Sequence, residues 1–188
     1  FENGMYVIAS KTHIRQLSDV SGMRVRCIES NVQTDTYKAF GANPVVLAWG
    51  DIYTAMSNGT CDAISSTSVT GIYSAKFQEV APYITRTEHI YSPHVLLMSQ
   101  TLWDSLPADI QQIVQEASNE ARDYDRELVS ADVDSTVKTF EEQGCEVIEV
   151  DKQEWMDAVK PVYAQHVGNG GVDQDLFDRI QTAAAAYQ

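Results

Sequence analysis

Positive charge is scarce in this sequence. Its 13 Lys and Arg face 27 Asp and Glu, for a formal net charge of −14 and a pI near 4.5. Nucleic acid selects basic faces, so this balance excludes it as a partner and disfavours an anionic membrane surface. An anionic ligand would have to be held by local groups against an unfavourable overall field. Cysteine is sparse too. Cys27, Cys61 and Cys145 lie far apart, with neither CxxC nor metal-finger spacing, which excludes a disulfide framework and a structural metal. Cys27 and Cys61 could be neighbours if their strands pair, as a disulfide or as buried free thiols.

There is no run of about 18 apolar residues, so no membrane-spanning helix is expected. Phe1-Glu2-Asn3-Gly4 lacks a basic segment followed by an apolar one, so no signal peptide is expected in this chain. The missing initiator Met fits a processed or truncated product. Catalytic motifs are absent as well: no GxSxG, no HExxH, no Walker loop and no GxGxxG. His13, His89, His94 and His166 are scattered without metal spacing and read as solvated or core residues. Gly168 to Gly171 follows no strand and reads as a flexible loop, and Glu141-Glu142 as a solvated helical face. No enzyme, cofactor or metal is expected.

What is present is a rhythm. Gly22 to Ser30 reads as a short strand carrying Arg26 and running into a helix start, where Ser30 with Gln33 makes a capping box. That helix stops at Gly41. Pro44 to Ala48 reads as a buried strand, Gly50 to Asn58 as a short helix, and Cys61 to Ser65 as a third strand. Ser65-Ser66-Thr67-Ser68 then opens a polar loop, followed by a helix over Gly71 to Glu79. Such a β-α-β-α-β succession makes a parallel sheet with helices packed on it. Ligands gather at the carboxyl ends of such strands, where helix N-termini point. Arg26 lies there, so the stretch predicts a site for a small anion.

Ahead of this unit, Met5 to Ser10 is extended. After it, Tyr91 to Ser99 reads as a long strand. Pro107 to Gln143 then forms one unbroken helical pattern, with Pro107 in its first turn and Gly144 just beyond its end. At ~1.5 Å per residue it would span about 55 Å, more than one small domain. Cys145 to Val150 alternates as a strand. Asp151 with Glu154 looks like an acidic capping box for a helix through His166, and Asp173 to Tyr187 a closing helix.

Several stretches together resemble a known family. They are Ser18 to Arg26, Ala39 to Val45, Trp49 to Met56 with Gly59, Asp62 and Ala63, Lys76 to Val80, Tyr83 to His89, and Trp103 to Asp109. In this order, over nearly the whole chain, they resemble the periplasmic solute-binding proteins of TRAP transporters, the DctP family. The resemblance implies a periplasmic-binding-protein-like α/β fold, with a parallel or mixed sheet, flanking helices and one long helix spanning two domains. The chain would begin just past the middle of the family pattern, so most of the first domain would be missing. Residues 1–20 would be a hinge and remnant of that domain, 21–90 the second, ligand-binding domain, and 91–106 a hinge strand and turn. Residues 107–143 would be the bracing helix, and 144–188 a strand and helices packing back.

The resemblance also places functional residues. The family's carboxylate-binding arginine falls on Arg26, and an aromatic packing over the ligand on Trp49. Asp51 would cap its own helix or reach a ligand hydroxyl. Ser66 and Thr67 stand where the family usually has an asparagine, and would touch the ligand or cap the next helix. Tyr6 stands where a second arginine is often found. Arg24 reads as a solvent or structural residue. The implied function is delivery of a small organic acid to TRAP permease membrane subunits, from the periplasm, by a monomer. The alternative is a ligand-sensing regulatory domain or an enzyme on a similar frame.

Overall fold

The computed structural model describes residues 1–169 and 171–186. Gly170 of the predicted glycine loop and Tyr187 of the predicted closing helix lie outside the described residues. In chain order the elements are β1 (Glu2–Ser10), β2 (Arg24–Cys27), α1 (Asn31–Ala39), β3 (Asn43–Val46), α2 (Ile52–Ser57), β4 (Ala63–Ser68), α3 (Val69–Ser74), β5 (Tyr83–Arg86) and β6 (Tyr91–Pro93). Then follow α4 (Gln100–Ser105), α5 (Ala108–Glu142), β7 (Glu146–Glu149), α6 (Lys152–Ala158), α7 (Lys160–His166) and α8 (Gln174–Ala185). The strands form one mixed sheet in the order β3-β2-β4-β1-β5-β7, with β6 attached to β1. β2 runs parallel to both β3 and β4, so their carboxyl ends share one edge, whereas β1 is antiparallel to β4 and β5.

The sheet is covered on both faces, and β1 shows why the sequence permits this. Val7, Ile8, Ala9 and Ser10 are all buried in succession, as expected of a strand sandwiched between two layers. Val7 and Ala9 join a core with Ile52, Met56, Ile64, Ile72, Phe77, Ile84 and Phe140, under α2, α3 and the end of α5. Ile8 joins the opposite core with Val25, Cys27, Tyr37, Phe40, Trp155 and Val162, under α1, α6 and α7. Each buried large side chain contributes about 1.5–3 kcal/mol of transfer free energy. Cys27 and Cys61 lie in different cores and are free thiols.

Several expectations are corrected. Ser65 to Ser68 is not a loop. β4 continues through it with every residue buried, because β2 flanks its first half and β1 follows it to Ser68. Pro44 to Ala48 is not a buried strand: β3 is the terminal strand of the sheet and is half-exposed. The strand from Tyr91 stops at Pro93 because its ladder with β1 is used up where His94 N–H reaches the carbonyl of Phe1. The helix expected over Gly71 to Glu79 divides into α3 and a 3-10 turn, with Lys76 left-handed between them at φ 57°. The helix expected to run from Asp151 to His166 divides into α6 and α7 at Val159. Pro161, in the first turn of α7, has no N–H to continue the earlier ladder.

Two capping boxes are half-formed. Ser30 Oγ accepts from Gln33 N–H at 3.4 Å, yet Gln33 Oε1 is buried without a partner. Asp151 accepts from Gln153 N–H at 3.0 Å, while Glu154 turns away to accept from Leu17 N–H at 3.2 Å. The long helix is confirmed as α5, 35 residues without a break and about 52 Å long. Only Thr136 and Phe140, near its end, are buried.

Candidate functional site

Arg26 sits at the shared carboxyl edge of β2, β3 and β4, as the sequence places it. Its neighbours Val25 and Cys27 point into the α1 core, so by strand alternation Arg26 points to the other face. The side chain is only 3% exposed, and no other charged residue belongs to the buried set among the described residues. Nε and Nη2 donate to the Leu47 carbonyl at 3.0 and 2.6 Å, and Nη1 donates to Ser66 Oγ. The indole of Trp49 lies over the guanidinium, its centroid 5.8 Å from Cζ. Among the described residues no carboxylate pairs with Arg26. Desolvation by burial lowers its pKa, against weaker pulls from the Cys27 thiol and the Tyr37 and Tyr6 phenols. An isolated buried cation is costly unless something anionic compensates it.

Arg24, two residues earlier, is built differently. Its Nε and Nη2 grip the two oxygens of Asp62 at 2.9 and 2.7 Å, and that fork holds the Asp62 carboxyl below its usual range. Arg24 is structural. Arg26 is the free one.

Alternation along β4 sends its hydroxyls to both faces, and a slip in register falls among them. Val7 pairs with Thr67 and Ala9 with Ile64, so two residues of β1 span three of β4. The extra residue is a bulge at Ser65–Ser66. Ser66 reaches Arg26 on one face, while Ser65 serves the other. Its Oγ lies 3.1 Å from His89 Nε2, and its carbonyl accepts from Tyr37 Oη–H. His89 Nδ1 lies 2.7 Å from Thr87 Oγ1, and Nε2 is also 3.4 Å from the Tyr37 hydroxyl. Burial pushes the His89 pKa down to about 3, so the ring is neutral at pH 7. It also raises that of Tyr37. The adjacent charges cancel: Glu88 pairs with Arg86 and Lys152, and Arg86 also pairs with Glu149.

The remaining predicted site residues fall around this centre unevenly. Trp49 is 47% exposed and edge-on to Phe77 at 5.1 Å, so it is a rim residue and not plain core. Asp51 is exposed on the same 3-10 turn and caps no backbone N–H of α2, contrary to expectation. Ser66 and Thr67 do not cap α3 either; Ser68 Oγ does, accepting from Gly71 N–H at 3.3 Å. Thr67 packs against Gly71, where a Cβ would stand 1.9 Å from its Oγ1. Tyr6 is partly buried, with its hydroxyl accepting from Ser92 Oγ at 3.4 Å. The structure therefore joins Arg26, Trp49 and Ser66 directly and leaves Asp51, Thr67 and Tyr6 at the margins. Sequence reasoning missed Tyr37, His89 and the Leu47 carbonyl. Only the position of His89 just beyond a strand could have pointed to it, and a backbone acceptor carries no sequence signal at all.

The family model described as "Bacterial extracellular solute-binding protein, family 7" (DctP) matches residues 1–169. The 2,3-diketo-L-gulonate-binding periplasmic protein YiaO of Escherichia coli (strain K12) is 29% identical over 96% of this chain and 57% of its own length. A TRAP periplasmic solute-binding protein from Xanthobacter autotrophicus Py2, crystallised with β-D-galacturonate, superposes with a TM-score of 0.89 at 29% identity. It covers 98% of this chain and 60% of that one. Another from Polaromonas sp. JS666, bound to D-erythronate, gives a TM-score of 0.81 at 33% identity over 87% of this chain and 55% of that one. The chain thus spans somewhat more than half the length of these relatives. All are solute-binding proteins, not enzymes. Among the described residues no helix is long and apolar enough to cross a membrane.

Proposed function

The chain belongs to the DctP family of bacterial extracellular solute-binding proteins, and on that premise we propose that it is part of the ligand-binding component of a TRAP-type uptake system for a small organic acid. Arg26 holds the ligand carboxylate, Ser66 and the Leu47 carbonyl fix the guanidinium, and Trp49 covers it. The observation that carries this reading is a buried arginine with no acidic partner among the described residues. A guanidinium fork matches a carboxylate with two parallel charge-assisted bonds. The positive end of α1, which starts beside the site at Asn31, adds to the field.

Sugar acids are the first class to try, because relatives are named or were crystallised with 2,3-diketo-L-gulonate, galacturonate and D-erythronate. In this reading the ligand closes a second wall over the Arg26 face by hinge motion, and the closed monomer docks on membrane permease subunits in the periplasm. The test is titration of D-galacturonate and D-erythronate, with Arg26→Ala beside the unaltered chain. Loss of a doubly bonded charge pair is expected to weaken binding by at least about tenfold. Unchanged affinity would remove Arg26 from the site.

A further inference from the structure

The sheet face opposite Arg26 holds a cleft of its own. It lies over the core of Phe40, Trp155 and Val162, between α1, the break from α6 to α7 at Val159, and the turn from β5 to β6. The cleft has two chambers, of about 310 and 120 Å³, which share His89, Val159 and Tyr163 as walls. Gln33 on α1 adds to the larger chamber and Trp155 on α6 to the smaller. An apolar cavity of about 150 Å³ is enough for a benzene ring. The larger chamber therefore has room for one ring with substituents.

The unmet groups of the walls decide what would fit. Four buried side-chain nitrogen and oxygen atoms have no hydrogen-bond partner among the described residues, and two of them, Gln33 Oε1 and Trp155 Nε1, belong to residues lining this cleft. Trp155 is only 2% exposed, and a buried indole N–H ordinarily finds an acceptor. Gln33 on the wall of the larger chamber thus has an acceptor to satisfy, and Trp155 on that of the smaller has a donor. The other polar groups are engaged. His89 Nδ1 meets Thr87 Oγ1 and Nε2 meets Ser65 Oγ, while Lys152 is paired with Glu88. A carboxylate would find no free cation here, and an unpaired charge is costly to bury. What the walls do offer is apolar ring surface, from Phe40, His89, Trp155 and Tyr163, the usual lining of a small-molecule site with a few polar groups set in it.

We propose that this cleft is a second binding site, for an uncharged single-ring ligand that donates a hydrogen bond to Gln33 Oε1 and accepts one from Trp155 Nε1–H. The sheet separates it from Arg26, and it stands whether or not Arg26 holds a carboxylate.

Nuclear magnetic resonance of the full chain reads this site through the indole N–H signals of Trp49, Trp103 and Trp155, the first two assigned with Trp49→Phe and Trp103→Phe. The probe is 4-hydroxyacetophenone, one ring with a hydroxyl donor and a carbonyl acceptor. It is expected to saturate, moving the Trp155 signal and leaving that of Trp49, beside Arg26, in place. Two analogues should each bind at least about tenfold more weakly: 4-methoxyacetophenone, which lacks the donor, and 4-hydroxybenzoate, which carries a charge. Gln33→Met, which removes the acceptor at a partly exposed helix position, should weaken the probe by about tenfold and abolish its advantage over the methoxy analogue. A Trp155 signal that stays still at millimolar probe would mean that the cleft takes only water, and would overturn the site. Movement of the Trp49 signal alone would put the probe on the other face and overturn it equally. Equal binding of all three compounds, or full affinity in Gln33→Met, would overturn the assigned hydrogen bonds.

Discussion

At the scale of single residues, the charge at the site could be read from the sequence and its setting could not. Arg26 stands out because it is the arginine nearest the carboxyl end of the first strand in a β-α-β unit. Its partners include a backbone carbonyl and a serine from a stretch that reads as loop. Leu47 O and Ser66 become neighbours only when β2, β3 and β4 align. His89 was indistinguishable from a solvated histidine, yet its neutrality has a measurable consequence. Its pKa near 3 in the fold lies below about 6.5 in the unfolded chain. The unfolded state therefore binds the extra proton first. The contribution of His89 is complete above about pH 6.5 and is lost as pH falls towards 3, by at most about 1.4 kcal/mol per unit. His89→Gln should flatten the difference between urea denaturation curves at pH 7 and pH 5. If wild type and variant lose stability in parallel, His89 is not the proton acceptor.

Element by element, patterning succeeded where an element's neighbours are local. The cap at Ser30, the apolar face of α2 at Ile52, Ala55 and Met56, and the unbroken α5 all follow from short-range rules. The errors lie where a partner is distant. β4 reads as ending at Ser65 because Ser66, Thr67 and Ser68 carry turn chemistry, and only pairing with β1 extends it. The same pairing explains Gly71. A Cβ there would meet Thr67 Oγ1 at 1.9 Å and Thr67 Cβ at 3.1 Å, and a β-branched side chain on a buried strand has little room to turn. Gly71→Ala should destabilise the chain by about 1–3 kcal/mol. Adding Thr67→Ala should recover part of that loss, a coupling that a double-mutant cycle of denaturation midpoints reads directly. Additive effects would mean that the two residues do not meet.

For the molecule as a whole, the sequence indicated the class of fold but not how unevenly it is anchored. α5 is held by Thr136 and Phe140 near its end, while Ile113 and Tyr124 stay exposed. Its periodic apolar residues could be read as a core-facing stripe, but periodicity does not say what lies opposite. In this chain the first half of α5 has little tertiary support, and a helix gains most of its stability from such packing. Amides from Ala108 to Leu128 should exchange with deuterium well before those from Val133 to Glu142. Uniform protection along α5 would contradict this. Phe140→Ala should cost about 3–5 kcal/mol and loosen the C-terminal segment as well, erasing the gradient.

The one-residue slip in β4 has a consequence for how such a site can change. Ser65 and Ser66 take opposite faces by ordinary alternation, and three steps of β4 against two of β1 bring Thr67 round to the face of Val7, against Gly71. Deleting either serine would restore plain alternation. The remaining serine would then face His89, and Thr67 would follow it on the face of Arg26, a threonine hydroxyl in place of the Ser66 one. Which hydroxyl stands beside the cation is thus set by how many residues the strand contains as well as by which residues they are.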